Sequence, residues 1–315
     1  MNLKTSRLHE RSKHHGRYDF KELCKALPEL KTFVTTTPDG SETIDFADPQ
    51  AVKSLNKSIL FKYYDVKYWD IPEGYLCPAV PGRADYIHHA ADVLAMHNRE
   101  VVPMGRTVKV LDIGTGANAV YPIVGMKEYG WYFVGTDIDK TAIDSANNIR
   151  KNNPGMDEFF ECRLQKNPDK MISGIIQADE EFDLVISNPP FYSSMEEAAS
   201  VAGRKWLNLG HELTGKDRNF GGHINELVYE GGEKEFIKRL ITESVGFKKQ
   251  FYWFTSLVSN DYHTQPLLQW LKKMEAFEAH SFPMSQGQKN SRIIAWTFLN
   301  KREQQIWRER KFWDI

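Results

Sequence analysis

Cysteine is scarce in this chain: Cys24, Cys77 and Cys162 are the only three, far apart and without a C-x-x-C pair. That spacing argues against a disulfide framework and a thiolate zinc site, and it fits a reducing, cytoplasmic setting. Long apolar runs are missing too. None approaches the roughly 20 residues that cross a bilayer, and the first residues carry Lys, Arg and His where a secretory leader is apolar. No internal repeat and no low-complexity tract is visible. Charge of one sign is also lacking: 41 Lys and Arg stand against 42 Asp and Glu, a formal net charge of −1. Net charge averages over a whole molecule, however, and a polyanionic partner senses a local basic surface within about a Debye length.

Such local surfaces are present. The first twenty-one residues hold Lys4, Arg7, Arg11, Lys13, Arg17 and Lys21 with His9, His14 and His15, against only Glu10 and Asp19. The end of the chain holds Lys301, Arg302, Arg308, Arg310 and Lys311. Both segments read either as solvated, partly mobile termini or as nucleic-acid contacts.

The 315 residues, 41% of them hydrophobic, suffice for a large α/β domain with a smaller appendage. Residues 1–100 show helical periodicity at Asp48–Tyr64 and Ala84–His97, with turns expected at Pro38-Asp39-Gly40 and Pro81-Gly82. From about 101 to 315 the rhythm is strand, turn, helix. Val108–Ile113, Trp131–Asp137 and Phe182–Ser187 read as buried parallel strands, with Glu158–Leu164 a weaker one. Helices are expected at Ala119–Tyr129, Ala142–Asn152 and Gln265–Lys273, and further strands at Gln250–Ser256, Ala276–Phe282 and Arg292–Leu299. Seven strands with alternating helices predict a Rossmann-like, doubly wound α/β sheet with an antiparallel edge. The stretch 192–232 fits neither period; it mixes seven glycines with Arg204, Lys205, Lys216 and Arg218 and reads as a functional insertion.

Val110-Leu-Asp-Ile-Gly-Thr-Gly-Ala-Asn118 places a glycine-rich turn directly after the first strand of this sheet. Gly114 and Gly116 let the backbone pass close to a ligand, and Asp137, at the end of the next strand, is placed to accept ribose hydroxyls. A dinucleotide competes for this geometry. Asp112 separates the two: a pyrophosphate wants a helix N-terminus without an adjacent anion, whereas the cationic groups of S-adenosylmethionine gain from one. The loop predicts S-adenosylmethionine, held by Asp112, Gly114, Gly116, Asn118 and Asp137, with no metal.

Ser187-Asn188-Pro189-Pro190-Phe191 lies at the carboxyl edge of another strand, on the same side. Methylating an exocyclic amine needs its delocalised lone pair turned toward the methyl group. The Asn188 oxygen and a neighbouring carbonyl are acceptors for the two N–H groups, Pro189 and Pro190 restrict the backbone, and Phe191 offers a stacking face. A Pro-Pro turn alone explains the prolines but not the flanking Asn and Phe. Adenine N6, guanine N2 and a protein glutamine N5 all fit, and a non-catalytic RNA-binding protein with a relict fold is the remaining alternative.

Several segments together resemble the bacterial 23S ribosomal RNA adenine-N6-methyltransferase family, RlmF, and more distantly eukaryotic relatives acting on spliceosomal RNA. They are Leu8-His-Glu-Arg-Ser-Lys-His-His-Gly-Arg-Tyr18, Trp69-Asp-Ile-Pro-Glu-Gly-Tyr-Leu-Cys-Pro78, Val80-Pro-Gly-Arg-Ala-Asp-Tyr-Ile-His-His89, the glycine loop and Asn188-Pro-Pro-Phe191. The resemblance covers nearly the whole chain and implies a class I S-adenosylmethionine methyltransferase. It also implies a small helical N-terminal region that binds RNA and completes part of the cofactor pocket. By the same resemblance, Arg83 contacts the methionine end of the cofactor and Asn167 its adenine, and Asn188 belongs to both sites. Arg7, Arg11, Lys13, His14, His15, Arg17, Arg204 and Lys205 are then the RNA contacts. The implied partner is 23S ribosomal RNA or a large-subunit assembly intermediate.

Overall fold

In the computed structural model the described residues are 8–198, 224–286 and 289–313. The N-terminal region contains α1 (Phe20–Ala26), α2 (Pro49–Tyr64) and α3 (Val80–Ala95). Asp19 and Asp48 start α1 and α2, their carboxylates accepting the otherwise unbonded N–H groups of Glu22 and Gln50. Between these helices lies a hairpin of β1 (Val34–Thr36) and β2 (Glu42–Ile44), too short for alternation to announce it. It turns at Pro38-Asp39-Gly40 as expected, with Gly40 at φ +80°. Pro81 and Gly82 make no turn. They sit in the first turn of α3, where proline gives up only an N–H that the helix leaves unbonded.

The large sheet is built from β3 (Lys109–Ile113), β4 (Tyr132–Asp137), β5 (Phe160–Leu164), β6 (Phe182–Ser187), β7 (Phe251–Val258), β8 (Glu278–Gln286) and β9 (Lys289–Thr297). Its order is β5-β4-β3-β6-β7-β9-β8. The first five run parallel; β9 runs antiparallel between β7 and β8, so the antiparallel pairing occupies that end of the sheet. The chain order reverses between β3 and β6, which leaves a crevice at their carboxyl ends.

Alternation sends Val110 and Leu184 into one hydrophobic core and Leu111 and Val185 into the other. The first core joins α2, α3, α4 (Val120–Tyr129) and α5 (Lys140–Lys151) to the sheet, and it runs across residue 100 without a break. A short helix, α6 (Ile224–Leu227), precedes α7 (Gly232–Ser244), which with α8 (Thr264–Lys273) covers the opposite face through Ile237, Leu240, Ile241, Leu267 and Leu271. The basic C-terminal segment is not a solvated tail. It forms α9 (Lys301–Phe312), started by an Asn300/Glu303 capping box. Trp307 and Phe312 enter the first core, and the Trp307 indole N–H donates to the buried Asp183 at 2.7 Å. Arg308 donates to the Tyr252 hydroxyl and Arg310 to Glu181, so these cations serve the fold.

Candidate active site

The turn after β3 folds over the end of β4. Gly114 and Thr115 donate their N–H groups to the Thr136 carbonyl, each at 2.9 Å. Gly114 and Gly116 have φ +78° and +66°, the left-handed region where a Cβ is strained. Gly135 serves the same packing from below: a Cβ there meets Phe160 and Thr115 at 2.8 Å.

Above this turn opens a cavity of 310 Å³ at the crevice of the sheet. Of the sequence-predicted cofactor residues, Arg83, Gly114, Gly116, Asn118, Asp137 and Asn188 line it. Asp112 and Asn167 do not. Asp112 is fully buried behind the wall, because its place in β3 turns it into the interior. Asn167 is exposed and its side-chain oxygen accepts the Asp169 N–H at 2.9 Å; Gln165 lines the cavity in its stead. Sequence spacing gave no signal for three further wall residues. Tyr75 donates its hydroxyl to Asp139 at 2.6 Å, Glu226 of α6 accepts the Leu76 N–H at 2.9 Å, and Tyr121 lies under the Arg83 guanidinium at 5.7 Å.

The wall is rich in carboxylates. Asp137 accepts the N–H groups of Gly116 at 3.0 Å and Asp139 at 2.9 Å; burial nevertheless holds its pKa above the ordinary carboxylate value. Burial pushes Asp112 up to about 7, with the Asp137 charge adding to the rise and the Arg83 charge opposing it. Both oxygens of Asp112 are buried with no hydrogen-bond partner among the described residues, and so is the Asn188 side-chain oxygen. Buried acceptors of this kind call for a donor or a cation. Asn188 and Pro190 line the cavity; Pro189 and Phe191 do not, Pro189 being buried and Phe191 half-buried and edge-on to Tyr192 at 6.3 Å.

A family model described as RNA methyltransferase matches residues 2–300. The chain belongs to this RNA methyltransferase family. Among curated proteins it is similar to "Ribosomal RNA large subunit methyltransferase F" of Stutzerimonas stutzeri, 48% identical over 308 residues, covering 97% of this chain and 94% of that one. The protein of that name from Yersinia pestis is 46% identical over 304 residues, covering 96% and 90%. Among solved structures it is similar to the hMettl16 catalytic domain in complex with MAT2A 3'UTR hairpin 1. That match has 27% identity and a TM-score of 0.79, covering 93% of this chain and 96% of that one. The N-terminal domain of human METTL16 in complex with SAH shares the fold, at 24% identity and a TM-score of 0.73, covering 93% and 99%.

The methyltransferase therefore has the class I fold, and its cavity fits S-adenosylmethionine. Glycines leave room for the cofactor at the turn, Asp137 lines the cavity beside them, and unpartnered buried acceptors favour positive charge. Among the described residues no helix is long and apolar enough to cross a membrane.

Of the residues predicted to touch RNA, Arg7, Arg204 and Lys205 lie outside the described residues. The others divide. Arg11 donates to Asp92 at 2.6 Å, to the His88 carbonyl at 2.8 Å and to the Tyr129 hydroxyl at 3.0 Å, and Lys13 pairs with Glu128 at 2.9 Å. His14 is buried against Tyr64, 2.7 Å from its hydroxyl, and burial pushes its pKa down to about 4, so it anchors the segment instead of presenting a charge. His15 and Arg17 are exposed. His9 bonds Asp92 at 2.8 Å, and His9, His89 and Asp92 bring ligand-type atoms within 4.8 Å of one another. The Arg11 guanidinium on Asp92 already supplies positive charge to that cluster.

Proposed function

We propose that this methyltransferase transfers a methyl group from S-adenosylmethionine to N6 of a specific adenine in 23S ribosomal RNA, as free RNA or in a large-subunit assembly intermediate, in the cytoplasm. The observation that carries the reading is the buried, unpartnered Asn188 oxygen on the wall of the cofactor cavity. The likeness to the large-subunit ribosomal RNA methyltransferases over nearly the whole chain supports RNA as the substrate.

When bound, S-adenosylmethionine supplies an electrophilic methyl group. The chain's own residues do the remaining work, which is chiefly positioning. Asn188 accepts one N–H of the exocyclic amine, drawing its lone pair out of the ring system. Pro189 and Pro190 hold the backbone at this point, each with a restricted φ and no N–H of its own. Phe191 offers a ring face to the base. Stacking of this kind contributes about 1–3 kcal/mol, which helps offset the few kcal/mol needed to extract a base from its stack. The exposed His15 and Arg17 contact phosphates, Arg17 exchanging its 3.4 Å pairing with Asp39 for one of them, while Arg11, Lys13 and His14 hold their segment in place.

The test uses purified protein, labelled S-adenosylmethionine and ribosomal RNA from cells lacking this gene, with Asn188→Ala alongside. N6-methyladenosine after nucleoside digestion, lost in the variant, is the expected result. N2-methylguanosine overturns the adenine assignment and keeps the site. Label in protein and not in RNA overturns the RNA substrate in favour of a glutamine amide.

A further inference from the structure

Asn188 follows directly on the end of β6, and the last backbone donor before it has an unusual partner. The β6–β7 ladder ends with Val185 opposite Phe254. Two residues on, Ser187 remains in register with Ile113 of β3, while its N–H donates to the Tyr86 hydroxyl of α3, 3.2 Å away. That hydroxyl lies 2.9 Å from the Thr255 oxygen of β7, and Thr255 in turn donates to the Val185 carbonyl at 2.7 Å. A threonine hydroxyl has a single proton, so Thr255 receives the Tyr86 proton. The direction of the whole chain is therefore settled: Ser187 N–H to Tyr86, Tyr86 to Thr255, Thr255 to the Val185 carbonyl. All four residues are fully buried. The chain begins and ends on β6, two residues apart, and closes a ring around the place where the strand leaves the sheet.

From this ring we infer that Tyr86 is a positioning residue for methyl transfer. Through the Ser187 N–H it fixes where the strand end releases Asn188 toward the cofactor cavity, and it rests on the reading of Asn188 as the amine acceptor. Tyr86 takes the rung that β7 does not supply, at the point where Asn188 alone separates the strand end from two prolines that offer no N–H. The same helix reaches the cofactor side. Arg83 lies one turn earlier, 5.7 Å over the Tyr121 ring, and Tyr86 meets that ring edge-on at 5.5 Å. One rigid element thus sets the cofactor wall and the amine-binding loop against each other, as methyl transfer along a line requires.

The experiment compares Tyr86→Phe, Thr255→Val, Asn188→Ala and the Tyr86→Phe/Asn188→Ala double variant with the wild type. It reads S-adenosylhomocysteine affinity, affinity for ribosomal RNA lacking the modification, and the single-turnover transfer rate. Tyr86→Phe keeps the ring and removes one hydroxyl. Its transfer rate is expected to fall by about ten-fold or more while both affinities stay within about two-fold, since misplacement of reacting atoms acts on the chemical step. Thr255→Val should show the same split. On the Asn188→Ala background Tyr86→Phe should cost nothing further, because both act through one contact. A Tyr86→Phe rate equal to wild type overturns the inference, as does a further loss on the Asn188→Ala background. Loss of both affinities together with the rate assigns Tyr86 to the fold alone and overturns it equally. A wild type that transfers no methyl overturns the functional reading itself, whereas an active wild type beside an equally active Tyr86→Phe overturns only the role of Tyr86.

Discussion

Asp112 should make cofactor binding depend on pH near neutrality. Its folded-state pKa is about 7 against an ordinary 3.8. At 1.36 kcal/mol per unit, the roughly three-unit rise makes the ionised form cost about 4 kcal/mol in the cofactor-free protein. The folded pKa is raised, so the folded state holds the proton more tightly than the unfolded one. Stability from this group is fully present below about pH 4 and declines as pH rises toward 7. Positive charge in the cavity acts the other way, favouring the carboxylate. At an effective dielectric of about 20, unit charges several ångströms apart interact by about 2 kcal/mol, or one to two decades in affinity. Affinity for S-adenosylmethionine should therefore rise about ten- to a hundred-fold between pH 5 and pH 8. No histidine lines the cavity among the described residues, so the groups there with raised pKa values are the carboxylates Asp112, behind the wall, and Asp137, on it. Calorimetric titration across this range, with Asp112→Asn beside the wild type, is the assay. The variant should bind more weakly at pH 8 with a much flatter profile, and its melting temperature should gain on the wild type as pH rises. A flat wild-type profile refutes the reasoning. So does an unchanged slope in Asp112→Asn, which assigns the titration to Asp137, whose pKa burial also raises.

Three further outcomes are expected. Gly116→Ala places a Cβ 3.3 Å from the Asn118 amide nitrogen at φ +66°; it should weaken S-adenosylhomocysteine binding about ten-fold, with a backbone strain of about 1–2 kcal/mol read as a small fall in melting temperature. Trp307→Ala removes a buried indole stacked on Tyr252 at 5.9 Å and leaves Asp183 with only the Lys109 N–H as donor; urea unfolding should show a loss of about 3–5 kcal/mol. His9→Ala removes the ring contact to Asp92 and should raise the dissociation constant for ribosomal RNA in a filter-binding assay while cofactor affinity holds, because His9 lies outside the cavity wall.

The parts legible in the sequence are those where one local rule dominates. β3, β4 and β6 are short, mostly apolar runs of the kind a doubly covered parallel strand needs, and the glycine turn and Asn188-Pro-Pro-Phe191 sit at the carboxyl ends of β3 and β6 as strand polarity requires. Long-range contacts were not legible. Asp112 carries the right residue type for a cofactor acid, but which way a β3 side chain turns depends on its neighbours in the sheet, and it turns inward. Asn167 was one turn residue among several; its neighbour Gln165, tied to the Ser173 carbonyl at 3.0 Å, is the one that faces the cavity. α9 was hidden because its cations dominate its composition, while the buried Trp307 and Phe312 that dock it find their partners more than fifty residues away in sequence. Pro81-Gly82 has turn chemistry by type, yet proline is equally at home in a first helical turn, and the helix that follows decides the matter.

That same helix explains why the N-terminal basic segment and the cofactor loop belong to one machine. At about 100° per residue, Arg83 and Tyr86 fall on one side of α3, while Asp85, His88 and Asp92 fall on nearly the opposite side. The first side faces the cavity and the end of β6. The second receives the N-terminal segment: the His9 N–H donates to Asp85 at 2.6 Å, and Arg11 donates to the His88 carbonyl and to Asp92. A helix of sixteen residues cannot carry such different duties on its two faces by amphipathicity alone, and most of its residues are buried, polar ones included. Asp85 and His88, buried on the segment's side, are each held at one atom: Asp85 accepts the His9 N–H, and the His88 Nδ1 lies 2.7 Å from the Tyr129 hydroxyl, with burial pushing the His88 pKa down to about 3 so that the ring is neutral. The cations that composition assigned to phosphates are therefore held by the fold to different degrees. Arg11 and Lys13 are occupied by Asp92 and Glu128 at 2.6 and 2.9 Å, whereas the exposed Arg17 has a longer pairing with Asp39 at 3.4 Å and the Ser41 hydroxyl beside it.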